Sequence, residues 1–429
     1  MYTFVDDLPS GLFWYHPHAH GATALQQGGG AFGPLLLESA LDEVKLGLLP
    51  PLASDSVIVF SSFDPKLQAK TSKLTGDGAP MDAKLLETAE AVMVVNGEER
   101  PSALARAYQP HRVRLVNAAV KPAILLTVSV AGVDSTGIDG SPCNFFLTAS
   151  DGTPLRSPRR LLLTPAEPLL MVPGNRRDIA FECLCEDCTV VWKSDGISSG
   201  TSAAMADWVG RGTDLDSSGA LFTTELCNGR GDSRAGCEER TGLGLGLGLG
   251  GGRDVNPDEV QSLSHWLTEH SDWSAILSDR LFPAGGLAPP ESAASYFNFV
   301  FNQGDRTMRG SEILPSYAVN NEPMPQDLSH VRVVQLGATE EWVVHNDHPS
   351  AAHPFHLHSN HFQLVASSSN VSHIDFVIGD WRDSVSIGPL QNITIRWKAN
   401  DYTGSLMAHC HVTTHSDLGM GLALRIVDQ

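Results

Sequence analysis

The stretch His409-Cys410-His411-Val412-Thr413-Thr414-His415-Ser416-Asp417-Leu418-Gly419-Met420 places one cysteine between two histidines near the end of the chain. Successive side chains of a β-strand point to opposite faces, so a strand here would turn His409 and His411 one way and Cys410 the other. Such a strand can serve two metal centres. A cysteine thiolate, two histidines and a weak axial methionine form the ligand set of a blue-copper site. The spacing therefore predicts that Cys410, His415 and Met420 share one copper ion, with a second site behind them.

Two further histidine clusters supply ligands that this stretch lacks. In His353-Pro354-Phe355-His356-Leu357-His358, which follows an apolar strand pattern, His356 and His358 share one face, and His353 can point elsewhere. Near the amino terminus, Trp14-Tyr15-His16-Pro17-His18-Ala19-His20-Gly21 repeats the same-face pair at His16 and His18. Imidazole binds copper, iron, nickel and zinc alike, so only the combination with the cysteine and the methionine indicates copper.

Together these residues resemble the multicopper oxidases, a family that includes laccases, ascorbate oxidases and bacterial copper-efflux and spore-coat oxidases. The family's second, third and fourth copper motifs can be placed at residues 16–18, 353–358 and 409–420. The resemblance implies up to four copper ions: one of type 1, one of type 2 and a type 3 pair. The implied ligands are His353, Cys410, His415 and Met420 for type 1 copper, His356 for type 2 copper, and His16, His18, His358, His409 and His411 for the type 3 pair.

The resemblance also shows which ligands are missing. The first family motif, His-x-His-Gly, has no match upstream of His16, so two of the eight histidines of the family's trinuclear site have no counterpart here. We therefore expect that the chain lacks the amino-terminal part of its first domain. Replacement of a missing ligand by His20 is the alternative.

Eight other histidines lie off the spacing of the motifs. Those near the motifs are expected to be surface residues or to support the ligands; they are His345, His348, His361 and His373. The rest have no metal context and are expected to be ordinary; they are His111, His265, His270 and His330.

The resemblance implies a laccase-like copper oxidoreductase. A phenol or similar small reductant would give single electrons to type 1 copper at its solvent-side ligand, His353 or His415. The electrons would then pass through Cys410 to His409 and His411, where O2 is reduced by four electrons to water. Two alternatives stay open. One is an oxidase of metal ions such as Cu(I) or Fe(II). Copper-efflux oxidases of the family often carry a methionine-rich insert, and the nine methionines of this chain weaken that version. The other is a non-catalytic copper-binding protein, because the first motif is missing.

The composition limits the partners of the chain. Its 29 Lys and Arg against 49 Asp and Glu give a net charge of −20, which argues against nucleic acid and anionic membrane surfaces. No apolar run is long enough to predict a membrane span. We expect a secreted protein, and two Asn-x-Ser/Thr triplets, at Asn370 and Asn392, agree with this, although the chain shows no signal peptide.

Six cysteines remain once Cys410 is assigned to copper. Cys227 and Cys237 bracket a short polar loop, as a surface disulfide would. The segment Cys183-Leu184-Cys185-Glu186-Asp187-Cys188 resembles a metal motif, but zinc sites normally need a second pair of ligands, and none is evident. We therefore expect disulfides, with free thiols or a metal site as the alternatives.

Recurring short strands between turn signals predict an all-β fold of tandem cupredoxin-like Greek-key β-sandwiches, the first of them incomplete. Residues 1–40 are interpreted as the remnant of cupredoxin domain 1, residues 56–205 as domain 2 without copper ligands, and residues 291–429 as domain 3 with type 1 copper. Residues 206–290 are interpreted as a low-complexity insertion or linker, because glycine alternates with leucine from residue 242 onward. A short helix is expected within it, around residues 258–267.

Overall fold

A computed structural model of the chain describes residues 10–38, 42–63, 92–132, 141–194, 219–227, 262–273, 295–309, 312–324, 331–369, 376–400 and 402–428. Within these residues, strands form one two-stranded sheet and four larger sheets, which enclose two apolar cores. The predicted all-β fold is confirmed. None of the described helices is long and apolar enough to cross a membrane.

The amino-terminal unit is a small sheet that supports the first histidine cluster. Strand β1 (Gly11–Tyr15) pairs antiparallel with β2 (Gly33–Leu37), and helix α1 (Thr23–Gly28) lies between them in the chain. Leu12 of β1 is fully buried in one apolar cluster with Val57 of the neighbouring sandwich. The histidines that follow β1 are therefore held by a strand with a packed face.

The first sandwich has a six-stranded and a five-stranded sheet around a core in which Trp192 and Phe222 stack. Its strands are β3 (Ser54–Phe63), β4 (Val92–Val95), β5 (Ser102–Arg106), β6 (His111–Asn117), β7 (Ile124–Ala131), β8 (Cys143–Ser150), β9 (Thr153–Leu161), β10 (Leu169–Met171), β11 (Arg176–Cys183), β12 (Thr189–Ser194) and β13 (Ala220–Cys227). The sheet orders are β4-β3-β6-β11-β8-β9 and β10-β7-β12-β13-β5. Buried and half-buried side chains alternate along β12, as in a strand with one face on a core.

The second sandwich has the same two-sheet design, and Trp342, Trp397 and Phe299 lie in its core. Its elements are β14 (Tyr296–Arg309), β15 (Glu312–Val319), β16 (Val331–Gln335), β17 (Thr339–Asn346), β18 (His353–Leu357), β19 (Phe362–Ser367), β20 (Trp381–Arg382), β21 (Ser384–Ile387), β22 (Asn392–Lys398), β23 (Gly404–Cys410), a short helix Thr413–Asp417 and β24 (Gly421–Val427). The sheet orders are β15-β14-β17-β22-β19-β20 and β16-β24-β23-β18-β21.

The pairing of β18 with β23 brings the third and fourth histidine motifs together. The two strands are antiparallel neighbours, with Phe355 opposite Cys410 and His356 opposite His409. Residues directly opposite each other in such a pair point to the same face. The register therefore places His356 and His409 on one side of the sheet and Cys410 on the other.

Buried ion pairs join the two sandwiches. Arg176 on β11 forms a bidentate pair with Asp383, which directly precedes β21, at 2.6 and 2.8 Å. Asp151, between β8 and β9, accepts a hydrogen bond from Arg382 of β20 at 2.7 Å. Because a buried charge without a partner is strongly destabilising, these pairs specify how the sandwiches fit together.

The first sandwich extends into the stretch interpreted as an insertion. Strand β13 pairs antiparallel with β12 and parallel with β5, so residues 220–227 belong to the five-stranded sheet. The glycine-rich composition of residues 242–252 does not extend to β13, whose buried positions alternate like those of any core strand. The expected helix is present as α2 (Leu263–Glu269), which buries Leu263 and Leu267. The Gly-Leu tract itself lies outside the described residues, and the remaining domain boundaries stay predictions.

Disulfides join four of the cysteines, as expected. Cys143 and Cys183, opposite each other on β8 and β11, form one, and Cys185 and Cys188 form the other. Cys227 is also disulfide-bonded. Its predicted partner, Cys237, and the acceptor Asn370 lie outside the described residues.

Candidate metal centres

One group of donors converges at the end of β23. The Sγ of Cys410 lies 3.7 Å from Nδ1 of His353 on β18 and 3.6 Å from Nδ1 of His415 on helix α3, as we call Thr413–Asp417. Met420 is fully buried in the same core as Cys410, and its backbone carbonyl accepts a hydrogen bond from the Cys410 backbone N–H at 3.0 Å. Two imidazole nitrogens and a thiol sulfur match the donor set of a blue-copper site, and Met420 is the candidate for its weak axial ligand.

Burial keeps these donors uncharged in the absence of a cation. Desolvation, with a further contribution from the nearby His348, lowers the pKa of His353 to about 3, so its ring is neutral and can bind a metal through a lone pair. Burial raises the pKa of the Cys410 thiol, because the apolar surroundings disfavour the thiolate. A cation in this position would supply the charge that stabilises the thiolate.

His415 is the ligand candidate with access to solvent. Its ring is partly exposed, whereas His353 is 0% exposed. The ring of Tyr317 on β15 stacks on His415 with centroids 4.4 Å apart. Of the two solvent-side candidates named from the sequence, the structure therefore favours His415.

A second group of donors lies on the opposite face of β23. His18, from the segment after β1, and His358, just beyond β18, each bring Nε2 within 3.2 and 3.1 Å, respectively, of Nε2 of His409. His409 uses Nδ1 to donate to the Cys410 carbonyl at 2.9 Å, which leaves a lone pair on Nε2. Three ring nitrogens facing one point in this way can hold a cation.

Three more histidines continue this site. The centroid of the His411 ring lies 5.4 Å from that of His16 and 5.1 Å from that of His356. His411 is fully buried, yet neither of its ring nitrogens has a hydrogen-bond partner among the residues that the structure describes. A buried polar atom without a partner is unfavourable, and a bound metal ion would satisfy it. Burial, with smaller contributions from His18 and His356, lowers the pKa of His16 to about 4.

The unpartnered nitrogens and converging donors thus fit copper on both faces of β23. All ten predicted ligands lie in the described residues. Nine of them separate into the groups that the alternation of side chains predicts: His353, Cys410 and His415 on one side, and His16, His18, His356, His358, His409 and His411 on the other. The tenth, Met420, is buried in the core that contains Cys410. His18, His358 and His409 form a three-imidazole group by themselves. Among the described residues, His16 and His411 have no third imidazole that completes an equivalent group.

The other histidines that the structure describes lie outside the two sets of converging donors. His20 is absent from the sets of converging donors that the described residues form. His361 makes a hydrogen bond through Nε2 to the Asp151 carbonyl at 2.9 Å, and His348 accepts from the backbone N–H of Ala351 at 2.8 Å. His111 bridges Ser54 and the Arg106 carbonyl inside the first sandwich. His330 and His373 lie outside the described residues.

Comparison with known proteins agrees with this geometry. The family model described as multicopper oxidase matches residues 289–429. Laccase-2 of Botryotinia fuckeliana is 29% identical over 146 residues, covering 31% of this chain and 25% of that protein. The laccase of Pycnoporus cinnabarinus is 38% identical over 77 residues, covering 18% of this chain and 14% of that protein. The matched stretches thus span a quarter or less of these relatives.

Solved structures show the same fold along nearly the whole chain. A multicopper oxidase from Campylobacter jejuni, described as a metallo-oxidase, superposes with a TM-score of 0.62 at 17% identity, covering 98% of this chain and 72% of that one. A laccase-like multicopper oxidase from the lignin-degrading bacterium Ochrobactrum sp. superposes with a TM-score of 0.61 at 20% identity, covering 98% and 77%. The family match over residues 289–429, the laccase relatives and the shared cupredoxin-type fold support a laccase-like multicopper oxidase, a family whose cofactor is copper.

Proposed function

We propose that the chain is a laccase-like oxidoreductase that takes single electrons from phenolic or similar organic reductants and passes them to O2, which is reduced to water. One observation supports this most strongly. Cys410 lies in a converging group with His353 and His415, while its chain neighbours His409 and His411 lie in the histidine group on the other face. A single strand therefore joins two sites of different donor chemistry.

The proposed ligands follow from these groups. His353, Cys410, His415 and Met420 would hold type 1 copper, His356 type 2 copper, and His16, His18, His358, His409 and His411 the type 3 pair. Copper, when bound, supplies one-electron chemistry at the first site and O2 reduction at the second. Cys410 is covalently joined to both His409 and His411, so the shortest covalent connection between the sites runs through its own backbone.

The relatives support the choice of reductant, and the surroundings of His415 limit how a reductant would approach. The buried Tyr317 ring covers one face of this histidine, so a reductant would reach the ring at its other face or edge. Some relatives are laccases, and the Ochrobactrum protein is described as active towards lignin model compounds. The Campylobacter jejuni protein, by contrast, is described as a metallo-oxidase, so metal ions are the competing reductants.

A second candidate is a copper-binding protein that does not reduce O2. The incomplete set around His16 and His411 favours it, because the described residues offer six histidines where the family uses eight. We also propose secretion, which the disulfides Cys143–Cys183 and Cys185–Cys188 support because such bonds persist in oxidising compartments.

The test loads the full chain with copper and measures thiolate-to-copper absorption and O2 consumption with a phenol, Fe(II) and Cu(I) in parallel. We expect a blue protein that consumes O2 fastest with the phenol. Cys410→Ser is the control and should lose both the colour and the turnover. Faster O2 consumption with a metal ion would identify that ion, and not the phenol, as the reductant. A blue protein without O2 consumption would establish the non-catalytic alternative.

A further inference from the structure

The His356 ring is held through the nitrogen that faces away from the other histidines. Its Nδ1 lies 2.8 Å from the Asp383 carbonyl and 3.0 Å from Oγ of Ser384, the residue paired with it across β18 and β21. Ser384 in turn donates its hydroxyl hydrogen to Oδ1 of Asp383 at 2.8 Å. The hydroxyl oxygen and the carbonyl can then both accept from Nδ1–H, which leaves the lone pair on Nε2.

The carboxylate of Asp383 is fixed by Arg176 from the other sandwich. Nη1 and Nη2 of Arg176 donate to Oδ1 and Oδ2 of Asp383 at 2.8 and 2.6 Å. The remaining donors of the guanidinium go to backbone carbonyls, those of Leu12, Gly174 and Asp151. Arg176 is 2% exposed. This planar fork, with every arm engaged, allows the carboxylate one orientation.

We infer that Arg176 is a positioning residue for the copper site: it orients the Asp383 carboxylate, and through this carboxylate and Ser384 it strengthens the hydrogen bond from Nδ1–H and fixes the plane of the His356 ring, whose tautomer the Asp383 backbone carbonyl sets. A sandwich that contributes no ligand thereby shapes a ligand of its neighbour. Partners of this kind raise the basicity of a ligating histidine and set which nitrogen binds the metal. The inference rests on the proposed function, because it takes His356 as a ligand.

The alternative role for Arg176 is purely structural, as a link between sandwiches. The chain offers a matched control for this. Arg159 on β9 also forms a bidentate pair across the same interface, with Asp380; the pair is partly buried, and one of its distances is 2.7 Å. Asp380 precedes Asp383 by three residues and takes no part in the hydrogen bonds described above that hold the His356 ring. Arg159→Gln therefore removes a similar link without touching the His356 support.

The first experiment needs no metal. The full copper-free chain is prepared with ¹³C- and ¹⁵N-labelled histidine, and the His356 ring signals are identified by their loss in His356→Gln. We expect the Nδ1–H tautomer in all three chains, with the Nδ1 signal of Arg159→Gln like that of wild type and the Nδ1 signal of Arg176→Gln shifted, because the hydrogen bond to Ser384 is lost. Arg176→Lys, which keeps the charge without the fork, should give an intermediate result.

The second experiment titrates the same variants with copper. It follows the copper that binds to the histidine group and therefore gives no thiolate-to-copper absorption. In Arg176→Gln this copper should be held about 10- to 100-fold more weakly, the usual effect of removing a residue that supports a ligand. The thiolate absorption should be unchanged, because the Cys410 site lies on the other face of β23.

Two results would overturn the inference. One is an unchanged His356 Nδ1 signal in Arg176→Gln, or a wild-type chain that does not carry the Nδ1–H form. The other is an equal change in Arg159→Gln, which would reduce Arg176 to a structural link. If Arg176→Gln does not fold, the variant Asp383→Asn takes its place. This substitution removes the negative charge that Arg176 holds but keeps the backbone carbonyl that accepts from His356. Failure of the proposed function would appear separately, as absent O2 consumption by the wild-type chain with a normal His356 tautomer.

Discussion

Gly174, in the turn before β11, lies directly against the ring of His411 on the next sandwich. A Cβ at Gly174 would lie 2.6 Å from Cδ2 and 2.9 Å from Nε2 of His411, closer than carbon atoms in proteins approach. The residue also has φ +88°, a conformation that disfavours side chains. The first sandwich therefore forms part of the wall of the histidine site, although none of the converging donors found in the described residues belongs to it.

Gly174→Ala should displace His411. We expect the free energy of unfolding to fall by about 1–3 kcal/mol from the strained backbone, with a further loss from the contact. Copper that gives no thiolate absorption should be bound more weakly, while the Cys410 site keeps its colour. Copper titration and urea unfolding measure the two effects.

Gly97→Ala is the matched control for this substitution. Gly97 has nearly the same backbone conformation, φ +85°, but a Cβ there would meet nothing within 4 Å. It should show the backbone strain without any change in copper binding. Equal copper affinities in the two variants would contradict the role assigned to Gly174.

Asp417 should contribute both to the free energy of unfolding and to copper binding at the group of His18, His358 and His409. Its carboxylate accepts hydrogen bonds from the backbone N–H groups of Gly21, Thr23 and Ala24 at 3.0, 3.2 and 2.8 Å, so it joins α3 to the start of α1. Asp417→Ala leaves these donors without this acceptor, and we expect a loss of about 1–3 kcal/mol in urea unfolding. Copper binding at the His18 group should weaken as well.

Ser262→Ala provides the comparison for Asp417. Ser262 caps α2 by accepting from the His265 backbone N–H, and its loss should destabilise the chain by about 0.5–2 kcal/mol without affecting copper. Asp417→Asn keeps an accepting oxygen and should recover part of the stability. Unchanged copper binding in Asp417→Ala would show that α1 and α3 do not need this link to hold the site.

The buried His111 should make the free energy of unfolding depend on pH. Burial lowers its pKa to about 4 from an unfolded value of about 6.5, so the folded chain holds the ring neutral while the unfolded chain protonates it. Its contribution is therefore complete above pH 6.5 and is lost as the pH falls towards 4. In the copper-free chain, the stability advantage of wild type over His111→Gln should shrink by about 2 kcal/mol between pH 7 and pH 5. A constant or growing difference in urea unfolding would contradict this.

The division of the candidate ligands between two faces could be predicted from the sequence, because it depends on the local alternation of side chains along each strand. The two-residue period of a strand assigns His409 and His411 to one face and Cys410 to the other, and the structure has them so. His356 and His358 follow the same rule. The aromatic Trp14, next to the first cluster, stacks on His16 at 4.2 Å.

The supporting residues could not be predicted, because their contacts join distant parts of the chain. Arg176 meets Asp383 only through the packing of two sandwiches, and 207 residues separate them in sequence. Asp417 meets Ala24 across 393 residues. Neither pair has a spacing that a motif could reveal. Strand β13 was hidden for a different reason, since the glycine-rich tract nearby dominates the composition of that region.

The most direct test of the account is anomalous X-ray diffraction from the copper-loaded full chain at the copper absorption edge. We predict one copper peak between His353, Cys410 and His415, and another between His18, His358 and His409. In Cys410→Ser the first peak should weaken or vanish while the second remains. Copper bound elsewhere, with no peak beside Cys410 in the wild-type chain, would contradict the assignment of the two faces of β23 to two copper sites.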